Sequence, residues 1–471
     1  MKHIRTPWLI LILLVQGTHA QVLISDSLLL TYTQQDLIAE GVGGASYGVT
    51  VHRLIYNTVD PFGEPTIASG AVVLPTAAPC SLSLASYMHG TILGREDVPS
   101  RLSNECLVGY FLGGYGYVAA LPDYLGLGDS PGQHPYMHAQ SEATASIDML
   151  RATREFCAQR GIGLNGQLFL VGYSQGGHTC MATHRMIESL YPEEFQVTAS
   201  APCSGPFDAS GVQAAVITSD QPYPAPYYLP YVLLSYGRIY PGLFNEVSEV
   251  FDAPYDVLLP PLFEGNNGSG AVDDVMPDVP SEIIVDAVLE AFITEADHPF
   301  RVALRDNDVY DWTPVSPVRM IYCEADDHVS YRNSVVALDA MQANGATSVS
   351  AVSAGASFDH GSCAFPALFA AKAWFDELHT PCTDVGVNDL ADAGWKVWPQ
   401  PCSDELWIQL PEHFRDGGDW SLYQSDGRVV RRGNYGVGEQ QRLDLSGVSA
   451  GTYHVELRSA AQRAFRTVVV E

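Results

Sequence analysis

Gln167-Leu168-Phe169-Leu170-Val171-Gly172-Tyr173-Ser174-Gln175-Gly176-Gly177-His178 decides how the chain is read. An apolar run of strand length ends in Gly-x-Ser-x-Gly, and a helical stretch follows. Strand, sharp turn and helix is the setting that lifts a serine hydroxyl out of a sheet as a nucleophile. Gly172 and Gly176 leave room where neighbouring backbones approach closely. A helix beginning near Gln175 aims its free N–H groups, and the positive end of its dipole, at a developing oxyanion. Gly and Ser are common in loops, so the string gains meaning only from partners elsewhere in the chain.

Working outward, residues 47–56 and 66–74 read as strands around a turn at Asp60-Pro61-Phe62-Gly63. Residues 83–88 form a strand that ends in His89-Gly90-Thr91, where the backbone N–H of Thr91 is expected as a second oxyanion donor beside that of Gln175. Residues 115–121 form another strand, followed by the glycine-rich loop from Pro122 to Ser130. A helix over 141–160 sets Ala145, Met149, Ala152 and Phe156 at helical spacing. Strands over 197–202, 318–323 and 348–352 follow, with helices over 330–343 and 364–378. This alternation predicts a mostly parallel sheet flanked by helices. Ligands of such sheets bind beyond the carboxyl ends of the strands. Those ends carry His89-Gly90-Thr91, Ser174, Asp326 and His360.

A serine hydroxyl is a poor nucleophile at neutral pH and needs a base, which in turn needs an orienting carboxylate. The expected set is Ser174 as nucleophile, His360 in its loop as base and Asp326 as the carboxylate. Glu324 and Asp327 compete with Asp326, while His328 and His178 compete with His360. Asp359 reads as a turn residue. From about residue 204 to 315 the alternation breaks into Pro- and Tyr-rich sequence with an apolar helical stretch over 282–293. That segment reads as an inserted, largely helical cap. Its apolar residues either line an acyl pocket or pack onto the core.

The chain has 471 residues and a formal charge of -30, a surface that repels nucleic acid and anionic lipid headgroups. Residues 1–20 carry a basic start, a short apolar core and a small residue at the expected cut, which is a signal-peptide pattern. No later stretch reads as a membrane span. The nine cysteines lie beyond it. Export permits disulfides, and the odd number leaves at least one thiol free or paired between chains. Cys80 with Cys106 is the expected pair; Cys323 reads equally as a buried thiol. No cysteine spacing resembles a zinc site.

Tyr87-Met88-His89-Gly90-Thr91, Pro122-Asp123-Tyr124-Leu125-Gly126-Leu127-Gly128 and Gly172-Tyr173-Ser174-Gln175-Gly176-Gly177 resemble the secretory lipase and esterase group of α/β-hydrolases, over about residues 35–380. The order Ser…Asp…His matches that fold. The resemblance implies hydrolysis of small-molecule or lipid carboxylic esters through an acyl-enzyme, with no metal and no cofactor. A serine peptidase on the same fold would use the same three residues. Its cap would need a charged subsite, for which Glu264 and Arg238 are the candidates.

After Pro381 the chain changes character. Residues 21–380 read as the hydrolase domain, 381–394 as a linker and 395–471 as a small all-β sandwich. Its short strands fall over 405–410, 420–424, 428–432, 442–445, 452–457 and 464–470, with turns at Asp426-Gly427 and Ala450-Gly451. Pro399-Gln400-Pro401, Ser403-Asp404-Glu405-Leu406, Leu445-Ser446-Gly447, Gly451-Thr452-Tyr453 and Val468-Val469-Val470 resemble the C-terminal sorting domain of the type IX secretion system of Bacteroidetes. Gln400 stands where that family usually has Asn. The resemblance implies export across the outer membrane by that machinery. A carbohydrate-binding or adhesive sandwich is the alternative.

Overall fold

The computed structural model describes residues 21–78, 80–380, 396–410, 414–424, 428–458 and 463–471. The expected signal peptide, the linker over 381–394 and the Asp426-Gly427 turn lie outside the described residues. The chain divides into two units, Met1–Pro381 and Cys382–Glu471.

The first unit is built on nine strands. They are β1 (Leu23–Tyr32), β2 (Val49–Val59), β3 (Pro65–Pro75), β4 (Leu82–Met88), β5 (Tyr117–Pro122), β6 (Leu164–Tyr173), β7 (Val197–Cys203), β8 (Val318–Cys323) and β9 (Val349–Gly355). They pair in the order β1-β2-β3-β5-β4-β6-β7-β8-β9. From β5 to β9 all neighbours run parallel, whereas β1, β2 and β3 form an antiparallel meander that joins antiparallel to β5. The strands at the centre are mostly apolar on both faces, as a sheet covered on both sides requires. β4 and β5 are buried along their whole length, and β6 from Leu168 onward. β9, at the edge, has no fully buried residue.

The helices are α1 (Gln34–Ala39), α2 (Cys106–Gly114), α3 (Ala139–Gln159), α4 (Gln175–Leu190), α5 (Ala214–Ile217), α6 (Tyr228–Ile239), α7 (Tyr255–Leu258), α8 (Ser269–Asp273), α9 (Asp286–Thr294), α10 (Pro299–Asp306), α11 (Arg332–Ala343) and α12 (His360–Leu378). Alternate residues of each strand serve opposite faces. Phe169, Val171, Ile321 and Cys323 pack with α2 and α12, through Cys106, Leu112, Trp374 and Phe375. Val318 and Met320 pack with α3, α4 and α11, through Ala143, Met181 and Met341. The segment between β7 and β8 holds α5 to α10 and its own core, including Leu234, Phe251, Ile283 and Phe300. That core explains the apolar content of the cap sequence. The sequence reading lacked β1 and α2. It also started the last helix too late: His360 is the first residue of α12 rather than a loop residue, because Asp359 caps the helix by accepting from the Ser362 N–H at 2.8 Å.

The second unit contains β10 (Lys396–Trp398), β11 (Glu405–Gln409), β12 (Gly418–Gln424), β13 (Val429–Tyr435), β14 (Gln440–Asp444), β15 (Gly451–Arg458) and β16 (Arg463–Val470). They form two antiparallel sheets, β10-β11-β14 and β13-β12-β15-β16. Leu406 and Ile408, Val455 and Leu457, and Val468 and Val470 enter one shared core with the two-residue period of half-buried strands.

Candidate active site

Ser174 sits between β6 and α4 at φ 61° and ψ −123°. A residue with a side chain rarely adopts that backbone, so neighbours must hold it there. The Ser174 N–H donates to the Cys203 carbonyl at 3.0 Å, and its own carbonyl accepts from Gly177 N–H at 2.8 Å. A Cβ on Gly172 would lie 2.0 Å from the Gly176 carbonyl oxygen, and one on Gly176 would lie 2.0 Å from that of Met88. Only glycine fits at either position, which is why the turn is spelled Gly-x-Ser-x-Gly.

The structure brings Ser174, His360 and Asp326 together. His360 Nε2 lies 2.9 Å from Ser174 Oγ, and His360 Nδ1 lies 2.9 Å from both carboxylate oxygens of Asp326. The Asp326 side chain is fully buried, and its Oδ1 also accepts from the Val329 and His328 N–H groups at 2.8 and 3.1 Å. Asp327, the competing carboxylate, accepts instead from the His360 backbone N–H at 3.1 Å. Glu324 is exposed. The His328 ring stacks on His360 at 4.7 Å, and burial, reinforced by the charge of His360, lowers its pKa. Gln175 is the first residue of α4, so its N–H has no partner within the helix. Thr91 follows β4 in a loop packed against the turn: a Cβ on Gly90 would lie 3.8 Å from that of Ser174.

A disulfide joins Cys323, three residues before Asp326, to Cys363, three residues after His360. Cys323 is therefore not a free thiol. Cys80 is disulfide-bonded, but not to Cys106 as expected; Cys106 is a free thiol on α2 that burial pushes up to about 12.

An apolar cavity of about 110 Å³ begins at Ser174 and Gln175 and runs into the cap. Leu229, Val232 and Leu233 of α6 and Val288, Leu289 and Phe292 of α9 line it. α9 has no fully buried residue, and its apolar face both lines the cavity and packs against the cap core. Three cap tyrosines pin the cap by donating to main-chain carbonyls: Tyr223 to His328 at 2.8 Å, Tyr231 to Ile92 at 3.0 Å and Tyr236 to Met137 at 2.9 Å.

The sequence reading missed Glu142, which is buried on α3 beside Gln175 and His178. A signal was present. Glu142 extends the stripe Ala145, Met149, Ala152 and Phe156 by one step, which puts a carboxylate on the buried face of a helix. His178, a rival base from sequence, pairs with Glu142 at 3.2 Å rather than with Ser174.

A nucleophile turn at the carboxyl end of a central strand, with helices on both faces of the sheet, defines an α/β-hydrolase. Known proteins agree. The chain is similar to a Legionella pneumophila protein described as a hydrolase, at 27% identity and a TM-score of 0.71, over 76% of this chain and 99% of that one. It is similar to the rice cell wall degrading esterase LipA from Xanthomonas oryzae at 28% identity and a TM-score of 0.67, over 79% of this chain and 98% of that one. Candida antarctica lipase A shares the fold, at 16% identity and a TM-score of 0.59, over 77% of this chain and 84% of that one. Residues 396–471 match the secretion system C-terminal sorting domain. No curated protein sequence matches the chain. The chain thus has an α/β-hydrolase fold similar to that of the esterase LipA, and it carries a C-terminal secretion sorting domain. Among the described residues no helix is long and apolar enough to cross a membrane.

Proposed function

We propose that this protein is a secreted serine esterase or lipase that cleaves carboxylic esters with an apolar acyl chain. One observation carries the reading: the Ser174–His360–Asp326 hydrogen-bonded chain lies at the mouth of an apolar cavity. Ser174 Oγ attacks the ester carbonyl as His360 Nε2 takes its proton, and Asp326 stabilises the imidazolium. The N–H groups of Thr91 and Gln175 receive the oxyanion, each contributing roughly 3 kcal/mol to lowering the barrier. His360 returns the proton to the departing alcohol. Water then attacks the acyl-enzyme with His360 again as base, releasing the acid and restoring Ser174.

The residues that line the cavity beside Ser174 include no charged side chain. Neither Glu264 nor Arg238, the candidates for a peptide-binding subsite, is among them. That favours an acyl chain over a peptide terminus. The relation to LipA, an esterase, supports ester chemistry. The sorting domain supports a place outside the cell or on its surface, reached after removal of residues 1–20 and passage through type IX machinery.

One experiment tests both parts. Cells making the full chain, or a chain ending at Pro381, are assayed in medium and envelope with p-nitrophenyl esters from acetate to palmitate and with aminoacyl nitroanilides. The expected result is ester turnover outside the cell for the full chain, retention within the envelope for the truncated one, and loss of turnover and of fluorophosphonate labelling in Ser174→Ala. Amide turnover matching the esters would move the protein to the peptidases. Normal release of the truncated chain would overturn the export reading.

A further inference from the structure

We propose that Glu142 is a positioning residue that fixes the oxyanion side of the site through the side chain of Gln175, an inference that rests on the serine-hydrolase reading above. Glu142 is 1% exposed, yet all its acceptor capacity is met. Its Oε1 accepts from the Met137 N–H at 3.0 Å and from Gln175 Nε2 at 2.7 Å. Its Oε2 accepts from Thr179 Oγ1 at 2.8 Å and from His178 Nδ1 at 3.2 Å. Burial alone would raise the carboxyl pKa, but the hydrogen bonds and charge of His178 outweigh it, and Glu142 stays below the usual range.

The ring nitrogens settle the charges. His178 Nε2 faces the Asn307 carbonyl at 2.8 Å while Nδ1 faces Glu142, so both nitrogens meet acceptors and both carry protons. Glu142 and His178 are therefore a buried ion pair with no net charge. His134 is the opposite case. Its Nδ1–H donates to the Leu125 carbonyl at 2.8 Å, which leaves Nε2 to accept from Gln175 Nε2 at 2.7 Å. Burial lowers His134 to about 4, in keeping with a neutral ring.

Both amide hydrogens of Gln175 are thus committed, one to Glu142 and one to His134. The amide cannot be turned round, because its oxygen would then face the Glu142 carboxylate. In the orientation adopted, Gln175 Oε1 is buried without a hydrogen-bond partner among the described residues. An unpartnered buried acceptor is costly. The fold accepts that cost at the residue whose backbone N–H faces the oxyanion. A buried ion pair adds little net stability, because desolvation offsets its attraction; what it supplies is a defined geometry.

The same cluster reaches the cap. Asn307 follows α10, and besides receiving His178 it accepts from the Ala139 N–H at 2.8 Å and donates to Tyr240 at 2.7 Å. The start of α3, the first turn of α4 and the last cap helix therefore share one hydrogen-bonded unit.

Full-length Glu142→Gln keeps the shape and removes the charge. Gln175→Met keeps the backbone N–H and the ion pair but removes the tether. Rates are expressed per serine titrated by a fluorophosphonate, so that an unfolded fraction does not count. For either variant we expect the labelling rate and kcat to fall roughly 10- to 100-fold with KM within about twofold, the pattern of a misplaced transition-state donor. Glu142→Asp, which retains the charge, is expected to recover part of the loss. A labelling rate equal to wild type in either folded variant overturns the inference and leaves the serine-hydrolase reading intact. A wild-type protein that labels but turns over no ester overturns the ester reading, and the labelling rates of the variants still decide this one.

Discussion

The two ends of the Ser174–His360–Asp326 chain are held in place by different means. Ser174 stands at the centre of the sheet, where β6 has β4 and β7 beside it and α4 against it. Its backbone is gripped by carbonyls and N–H groups on several elements, and the glycines around it touch main chain at once. His360 and Asp326 stand toward the sheet edge. There β9 has no fully buried residue, and α12 shows Phe365 and Phe369 to solvent. A disulfide, Cys323–Cys363, ties the Asp326 loop to α12 from within the buried core beside that edge. The serine end is thus held by main-chain contacts, and the other end by hydrogen bonds with a covalent bond added.

The largest effect should come from attacking the packed end. Gly176→Ala drives a Cβ to 2.0 Å from the Met88 carbonyl oxygen, with no flexible side chain to yield. We expect turnover to fall at least roughly 100-fold, or stability by more than about 3 kcal/mol. Ester kinetics with urea unfolding will show which; a stable, fully active variant would break the comparison.

A smaller effect is expected at the clamped end. Replacing both Cys323 and Cys363 by Ser opens a loop closed over a sequence separation of 40, which costs about 4 kcal/mol in the chain-entropy view. Turnover should fall about tenfold rather than vanish, since the hydrogen bonds of Asp326 remain. Loss as complete as that of Gly176→Ala would mean that the clamp, not the packing around Asp326, orients the base.

The smallest effect is one of pH, and it falls on the packed end. Burial lowers His134 and His138 to about 4 from an ordinary 6.5. The unfolded chain therefore binds protons first as pH drops, so stability is full above 6.5 and declines between 6.5 and 4. By pH 5.5 the loss is roughly 1 kcal/mol for each ring. Unfolding midpoints at pH 7 and 5.5 check this, and His138→Gln should flatten the slope.

The same contrast accounts for what the sequence disclosed. The turn at Ser174, the strand ends and the acid loop are local: their glycines and apolar runs sit within a dozen residues of the chemistry. Asp326 was the expected carboxylate with Asp327 as its competitor, and space separates their roles: Asp326 faces the ring of His360 and Asp327 its backbone N–H. The Cys323–Cys363 bond joins residues distant in sequence, and Cys106, close enough to Cys80 to tempt a pairing, is a buried free thiol on α2. Glu142 was hidden for another reason. A carboxylate on a helix is ordinarily solvated, and only its place on an apolar stripe set it apart. The shortest cap helices, α5, α7 and α8, left no clear periodicity because each spans little more than one turn.

Sulfur clamps close only where thiols are oxidised. On the export route proposed above, the chain leaves the reducing cytoplasm with Cys323 and Cys363 still apart, and the bond between them closes after departure. Maturation and transport then coincide, because the tie between the Asp326 loop and α12 is added at the end of the journey rather than at its start.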